Sequence, residues 1–275
     1  MIKISFQGER GAYSEMAALN YFTKIQGNNE TDFLTCLTFL DALKSTENGK
    51  SEYSILPVEN SIQGSVSESY DALYDTKLSA IGETYQKIEH CLLGIGQIDK
   101  IKTVYSHPQA LGQCSDFIQK KSFRTISTYD TAGSAGIIKE INQDDVACIA
   151  IKNASKIYNL NIIQEGISNN LTNYTRFLIL SNKSTKETGK DKTSIIFSIK
   201  HESGALYEII KKFYEKNVNL TKIESRPKKE TPWEYNFYVD FEGHQNDSKI
   251  LDLLNELKEK TLFMKISGSY PIGEL

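Results

Sequence analysis

A chain of 275 residues is long enough for two domains and too long for one small core. With 39% hydrophobic and 24% charged residues and a formal net charge of -3, it has the composition of an ordinary globular protein and no basic surplus for nucleic acid. No stretch reaches the roughly 18 apolar residues of a membrane helix, so no membrane partner is expected.

Ile2 to Phe6 alternates like a strand and lacks the apolar core of a signal peptide. The turn Gly8-Glu9-Arg10-Gly11 leads to a helix from about Ser14, with Ala18, Phe22 and Ile25 on one face. A short helix around Phe39 to Leu43 precedes a strand, Tyr53 to Pro57, and Val66, Tyr70 and Leu73 mark another helical face. Leu78 to Ile81 and Ile88 to Ile95 read as strands, the second long enough to cross between two lobes. The alternation repeats with strands Thr103 to Ser106, Arg124 to Ser127 and Val146 to Ile151, and with helices after Pro108 and from Thr131 to about Ile141. This is an α/β pattern in which largely parallel strands are expected.

Residues 182–191 form a polar, lysine-rich linker, so the expected division is 1–181, linker, and 192–275. Beyond the linker the order is strand (Thr193 to Ile199), helix (Ala205 to Tyr214), two strands (Leu220 to Glu224, Tyr235 to Phe241), helix (Leu251 to Leu257) and strand (Phe263 to Ser267). That βαββαβ order is ferredoxin-like. Cys36, Cys91, Cys114 and Cys148 stand singly, without the close pairing of a zinc or redox motif. They read as reduced thiols in a cytoplasmic protein, with no metal site.

Chemistry concentrates at strand ends. Asn173-Tyr174-Thr175-Arg176-Phe177 opens the strand Thr175 to Ser181 with a hydroxyl, a guanidinium and a ring on successive positions. Side chains alternate, so in a regular strand Thr175 and Phe177 face one way and Arg176 the other. The set suits a small anionic substrate with a ring: Arg176 to fix charge, Phe177 to wall the ring, Thr175 to donate a hydrogen bond. Three loops run from strands into helices and converge on the same sheet edge: Gly8 to Ser14, Glu59 to Ser65, and Ser106-His107-Pro108-Gln109. Gly11 and Gly64 let backbone approach a ligand, and Ser14, Asn60, Ser61 and Ser65 can cap or contact it. His107 reads either as the residue before a proline-started helix or as a proton donor, and Glu59 as a substrate contact or a loop brace. In the second domain the loops Gly204-Ala205-Leu206 and Glu224-Ser225-Arg226-Pro227 carry no nucleophile and look like a ligand sensor.

The Thr175-Arg176-Phe177 run resembles the Thr-Arg-Phe motif of prephenate dehydratases. Gly8 to Ser14, Leu56 to Ser61 and Ser106 to Leu111 resemble that family's other signatures, in its order. Residues 192–275 are similar to its ACT regulatory domain, with Glu224-Ser225-Arg226-Pro227 and Gly204-Ala205-Leu206 matching two motifs of that domain. Departures are Glu9 where many members have proline, Ala12 where many have threonine or serine, and Ser203 where a proline often precedes the glycine. The resemblance implies a two-lobed catalytic domain like a type II periplasmic binding protein, with substrate between the lobes. It implies conversion of prephenate to phenylpyruvate, water and carbon dioxide without metal or organic cofactor, with Thr175 as the essential hydroxyl. Arg176, Phe177, Asn60, Ser61, Ser14, Gly11, Ser106 and His107 are the expected substrate contacts. It further implies control by L-phenylalanine at Gly204 to Leu206 and Glu224 to Pro227, in a homodimer or homotetramer. No chorismate mutase module precedes the first strand, so a monofunctional enzyme is expected. The rival readings are arogenate dehydratase and a non-catalytic phenylalanine-binding regulator.

Overall fold

The expected alternation at the start becomes β1 (Ile2–Gln7), with Ile4 and Phe6 fully buried. The computed structural model describes residues 2–26, 30–228, 231 and 233–275. The first lobe adds β2 (Thr31–Cys36), β3 (Tyr53–Asn60), β4 (Gly64–Ser65) and β5 (Ser79–Lys87). The second holds β6 (His90–Gly94), β7 (Thr103–Ser106), β8 (Arg124–Ser127), β9 (Val146–Ile151) and β10 (Asn161–Gln164). The chain then returns to the first lobe as β11 (Tyr174–Ser181). The sheet orders are β2-β1-β3-β11-β5, with β4 on β3, and β10-β6-β9-β7-β8.

The expectation of largely parallel strands is corrected. β1 runs parallel to β2 and β3, and β7 to β8 and β9. β11 is antiparallel to both its neighbours, and so is β6. Both strands lie next to a passage between the lobes, so no helical crossover within one sheet dictates their direction. β2, β10 and the helix Lys152–Tyr158 were not expected. β2 and β10 are short edge strands with no fully buried residue, so neither shows an apolar run.

β11 is the centre of the first lobe. Phe177 and Ile179 face a core with Ile4, Phe6 and Phe22, while Leu178 and Leu180 face the opposite side. That opposite side is covered by the second domain: β12 (Asp191–Ser198), helix Ala205–Glu215, β13 (Leu220–Pro227), β14 (Tyr235–Glu242), helix Ser248–Lys260 and β15 (Phe263–Pro271). Its antiparallel sheet has the order β13-β14-β12-β15. Asp191, placed at the linker's end from sequence, is buried at the start of β12, where its carboxylate accepts from Thr188 and Gly189.

One face of this sheet (Ile195, Phe197, Val239, Phe241) packs under the two helices. The other (Ile196, Tyr238, Tyr270) joins Leu178 and Leu180 of the first lobe in a shared core. β15 lies against β5 so closely that a Cβ on Gly268, at φ +139, would sit 2.3 Å from the Ala80 carbonyl oxygen. Only glycine permits that approach.

Candidate active site

A cleft of about 310 Å³ lies between the two lobes. Gly11 to Ser14 reach it from the end of β1, Asn60 and Gln63 to Val66 from β3 and β4, and Gln109 and Gln113 from the helix Pro108–Gln113. Thr175 and Phe177 enter it from β11. Of the expected contacts, the structure therefore brings Gly11, Ser14, Asn60, Thr175 and Phe177 to one cavity.

Thr175 is held by Asn60. The Asn60 Oδ1 accepts the backbone N–H groups of Ile62 (3.1 Å) and Gln63 (3.0 Å), which fixes the orientation of its amide. Its Nδ2 must then donate, to Asn173 Oδ1 at 2.7 Å and to Thr175 Oγ1 at 3.0 Å. With its oxygen accepting from Asn60, the Thr175 hydroxyl keeps its proton for a group in the cleft. The loop at Gly11, at φ +85, is braced by Glu15, whose Oε2 accepts from the Gly11 N–H at 2.6 Å.

The sequence reading missed a second polar group. His90 is buried in the wall, with Nε2 2.7 Å from Gln113 Oε1 and Nδ1 3.1 Å from the Tyr13 hydroxyl. Burial lowers the His90 pKa from its ordinary value, so the ring is neutral near pH 7. Burial likewise holds the Tyr13 hydroxyl well above its usual range. The available signal was weak: Gln109 and Gln113 stand four apart on one helix face, and both line the cleft.

Four expected contacts do not line the cleft. The Arg176 guanidinium points to the opposite face of β11 and is buried against the second domain. Ser106 is fully buried and donates to the Ile149 carbonyl at 2.7 Å, tying β7 to β9. Ser61 does not line the cleft; its hydroxyl accepts the Tyr174 N–H at 2.9 Å and so clasps the start of β11. His107 is the N-cap of the helix Pro108–Gln113, with Nδ1 accepting the Gln109 N–H at 3.3 Å. The turn reading of His107 is the one the geometry supports.

Among the described residues, no lysine or arginine lines the cleft, and Asp130 is its one carboxylate. Asp130 Oδ1 accepts the Gly133 N–H at 2.8 Å, at the start of the helix Gly133–Ile141. That helix and the helix Tyr13–Gln26 both begin at the cavity wall, each with a carboxylate at its start, Asp130 and Glu15.

The second domain grips the cleft's rim. Lys222, Glu224 and Arg226 alternate onto one face of β13. Glu224 accepts from Ser65 Oγ at 2.6 Å, Lys222 Nζ reaches Glu59 (2.9 Å) and Ser65 (3.0 Å), and Arg226 donates to Ser67 at 3.0 Å. Glu59 is thus a brace rather than a substrate contact. Ala205 and Leu206 line a separate cavity of about 140 Å³ with Tyr235 and Phe237, which includes none of residues 224–227.

The fold and the cleft together define a two-lobed α/β protein with a cavity between its lobes whose rim is held by a ferredoxin-like domain. Residues 4–185 match the family model described as prephenate dehydratase, and residues 193–259 match the ACT domain. The chain belongs to the prephenate dehydratase family. It is 38% identical to a prephenate dehydratase of Methanocaldococcus jannaschii, over 96% of each chain. It is 37% identical to arogenate dehydratase/prephenate dehydratase 1 of Arabidopsis thaliana, over 98% of this chain and 73% of the plant protein. Among solved structures, a prephenate dehydratase from Arthrobacter aurescens in complex with L-Phe superposes with a TM-score of 0.88 at 28% identity, covering 98% of this chain and 90% of that one. No helix among the described residues is long and apolar enough to cross a membrane.

Proposed function

We propose that this chain is a lyase that converts prephenate to phenylpyruvate, water and carbon dioxide in phenylalanine biosynthesis, with Thr175 as the catalytic group. The observation that carries the reading is the Asn60–Thr175 pair, which presents a hydroxyl proton to a cavity walled by Phe177. In the reaction, the bond from ring to carboxylate breaks and its electron pair makes the ring aromatic. The ring hydroxyl leaves with its bonding pair, takes up one proton and becomes water. Thr175 donates a hydrogen bond to the departing oxygen, and the net proton comes from the acid of the medium (hydronium or a protonated buffer), because a neutral threonine is too weak an acid to be its source. The chemistry is redox-neutral and aromatisation drives it, so neither metal nor organic cofactor is required.

Helix starts at Ser14 and Ala132, with neutral donors such as Gln113, hold the substrate's charge. An arginine there would bind the departing carboxylate most tightly in the ground state and oppose its loss as neutral carbon dioxide. Support for the substrate comes from the relatives named for it.

L-Phenylalanine controls the enzyme through the ACT domain, bound by Gly204 to Leu206 and Glu224 to Pro227. The two motifs lie on different surfaces of one chain, and β13 is the edge strand of its sheet among the described residues, which together support a site completed by a second copy in a homodimer or homotetramer. A cytoplasmic location accords with four free cysteines.

One observation favours a second reading. Asp130 is a lone carboxylate in a cleft meant for an anion, and it would pair with the ammonium by which arogenate differs from prephenate. The test is phenylpyruvate formation from prephenate by the purified chain, with and without L-phenylalanine, beside an arogenate assay. Turnover of prephenate that changes with phenylalanine supports the reading. Turnover of arogenate alone selects the second, and turnover of neither overturns both.

A further inference from the structure

We infer that Arg176 is a positioning residue for Thr175 and a side chain through which the second domain acts on the reaction; this deepens the proposed prephenate chemistry and rests on it. Arg176 follows Thr175 in β11, so its anchorage on one face of the strand sets where the hydroxyl stands on the other.

That anchorage is shared by both domains. Nε donates to Glu83 of β5 at 2.6 Å, Nη1 to Asp240 of β14 at 2.6 Å, and Nη2 to the Tyr270 hydroxyl of β15 at 2.9 Å. Each acceptor is fixed in turn. Asp240 also accepts from Ser194 at 2.6 Å, and Ser194 lies 2.7 Å from the Tyr270 hydroxyl. The second oxygen of Glu83 accepts from Lys192 Nζ at 2.8 Å and from the Gly273 N–H at 2.9 Å. Two cations and two buried carboxylates therefore offset one another, with a third carboxylate, Glu59, 4.0 Å from Nη1 at the wetter edge. Burial opposes the charge on Arg176, but Asp240, Tyr270 and Glu83 outweigh it and keep the guanidinium protonated.

A local irregularity of β11 lies beside this grip. Thr175 pairs with Asn60 and Arg176 with Glu59, but the register slips before Phe177, which stands opposite Pro57. On the β3 side a bulge and a residue without an N–H interrupt the ladder one step beyond Thr175, whereas the β5 side pairs continuously from Tyr174 to Ile179. A guanidinium cannot shed its charge and has a planar fork of donors. Any shift of β14 and β15 relative to β5 must therefore be followed by Arg176, and with it by Thr175. A network that served stability alone would have no reason to affect turnover.

The test uses the full chain with Arg176→Lys, which keeps the charge but loses the fork, and Asp240→Asn, a near-isosteric change remote from the cleft. Prephenate kcat and KM, inhibition by L-phenylalanine, melting temperature, and amide hydrogen exchange over residues 174–178 are measured for each. Arg176→Lys is expected to lower kcat about 100-fold, the scale of a 1 Å misplacement, with KM within about twofold. Asp240→Asn is expected to bring the phenylalanine effect on rate close to none and to speed exchange at Thr175 and Phe177. Unchanged kcat and unchanged phenylalanine response in variants that merely melt lower would overturn the inference. A raised KM at constant kcat would also overturn it, by making Arg176 a substrate ligand. Should the unaltered chain not turn over prephenate, the proposed reaction fails by itself, and the exchange measurement decides this inference without it. Exchange in ligand-free Asp240→Asn no faster than in the parent then overturns the coupling, and faster exchange confined to 174–178 supports it.

Discussion

Replacing Thr175 by alanine separates folding from chemistry more cleanly than any other change in this molecule. The hydroxyl accepts from Asn60 Nδ2, but that amide also donates to Asn173 Oδ1 at 2.7 Å and faces the Tyr174 carbonyl at 3.2 Å. Two donor hydrogens thus retain two acceptors after the change, and no buried donor is orphaned. The stability cost is that of one hydrogen bond, about 1 kcal/mol, or a fall of roughly 2–4 °C in melting temperature for a chain of this size. The kinetic cost is far larger. A positioned donor to a departing oxygen contributes about 10²–10⁴-fold. Thr175→Ala should therefore lower prephenate kcat by that factor, while Thr175→Ser, which keeps the hydroxyl without the stiffening methyl, should stay within about tenfold of the parent. The assay is phenylpyruvate release beside a thermal melt. An alanine variant within tenfold of the parent, or equal loss in the serine and alanine variants, would refute the role given to this hydroxyl.

Other changes test the remaining assignments. Glu224→Ala removes the acceptor of Ser65 at the cleft rim and should weaken phenylalanine's effect on rate by roughly 5–150-fold, the usual span of a coupling energy; an inhibition curve identical to the parent's counts against the placement. Gly268→Ala drives a Cβ to 2.3 Å from the Ala80 backbone at a φ of +139, neither of which can relax, and should cost about 2–4 kcal/mol in denaturant unfolding. His90 titrates lower when folded than when unfolded because burial disfavours its charge. The unfolded chain then binds the extra proton, so stability should decline as pH falls below about 6.5 toward the folded-state value, and should be level above it. His90→Gln should flatten that decline in chemical denaturation at about pH 7.5 and pH 5.5, and an unchanged slope would assign the dependence to other groups.

The separation between local and distant partners explains which parts of this site were legible in sequence. Strand and helix periodicity depends on near neighbours, and it located β1, β3, β11 and the βαββαβ domain to within a few residues. The same alternation placed Thr175 and Phe177 on one face and Arg176 on the other. What it could not supply was the content of that other face, because Asp240, Tyr270 and Glu83 stand 64, 94 and 93 positions away along the chain. His90 escaped for a related reason. A single histidine inside an apolar strand has no spacing to mark it, and its partners Tyr13 and Gln113 come from two other segments.

Charge itself misled the reading of Arg176. An anionic substrate suggests an arginine, yet among the described residues the cleft is lined by helix starts, neutral side chains and Asp130, which leave no cationic signature in a sequence. Freed from the substrate, the Thr-Arg-Phe run acquires a different logic. A motif contiguous in sequence is divided by the pleat of one strand: Thr175 and Phe177 face the cleft, and Arg176 faces the second domain. Three adjacent residues thus serve two surfaces, because the cleft and the second domain meet opposite faces of the same short length of backbone.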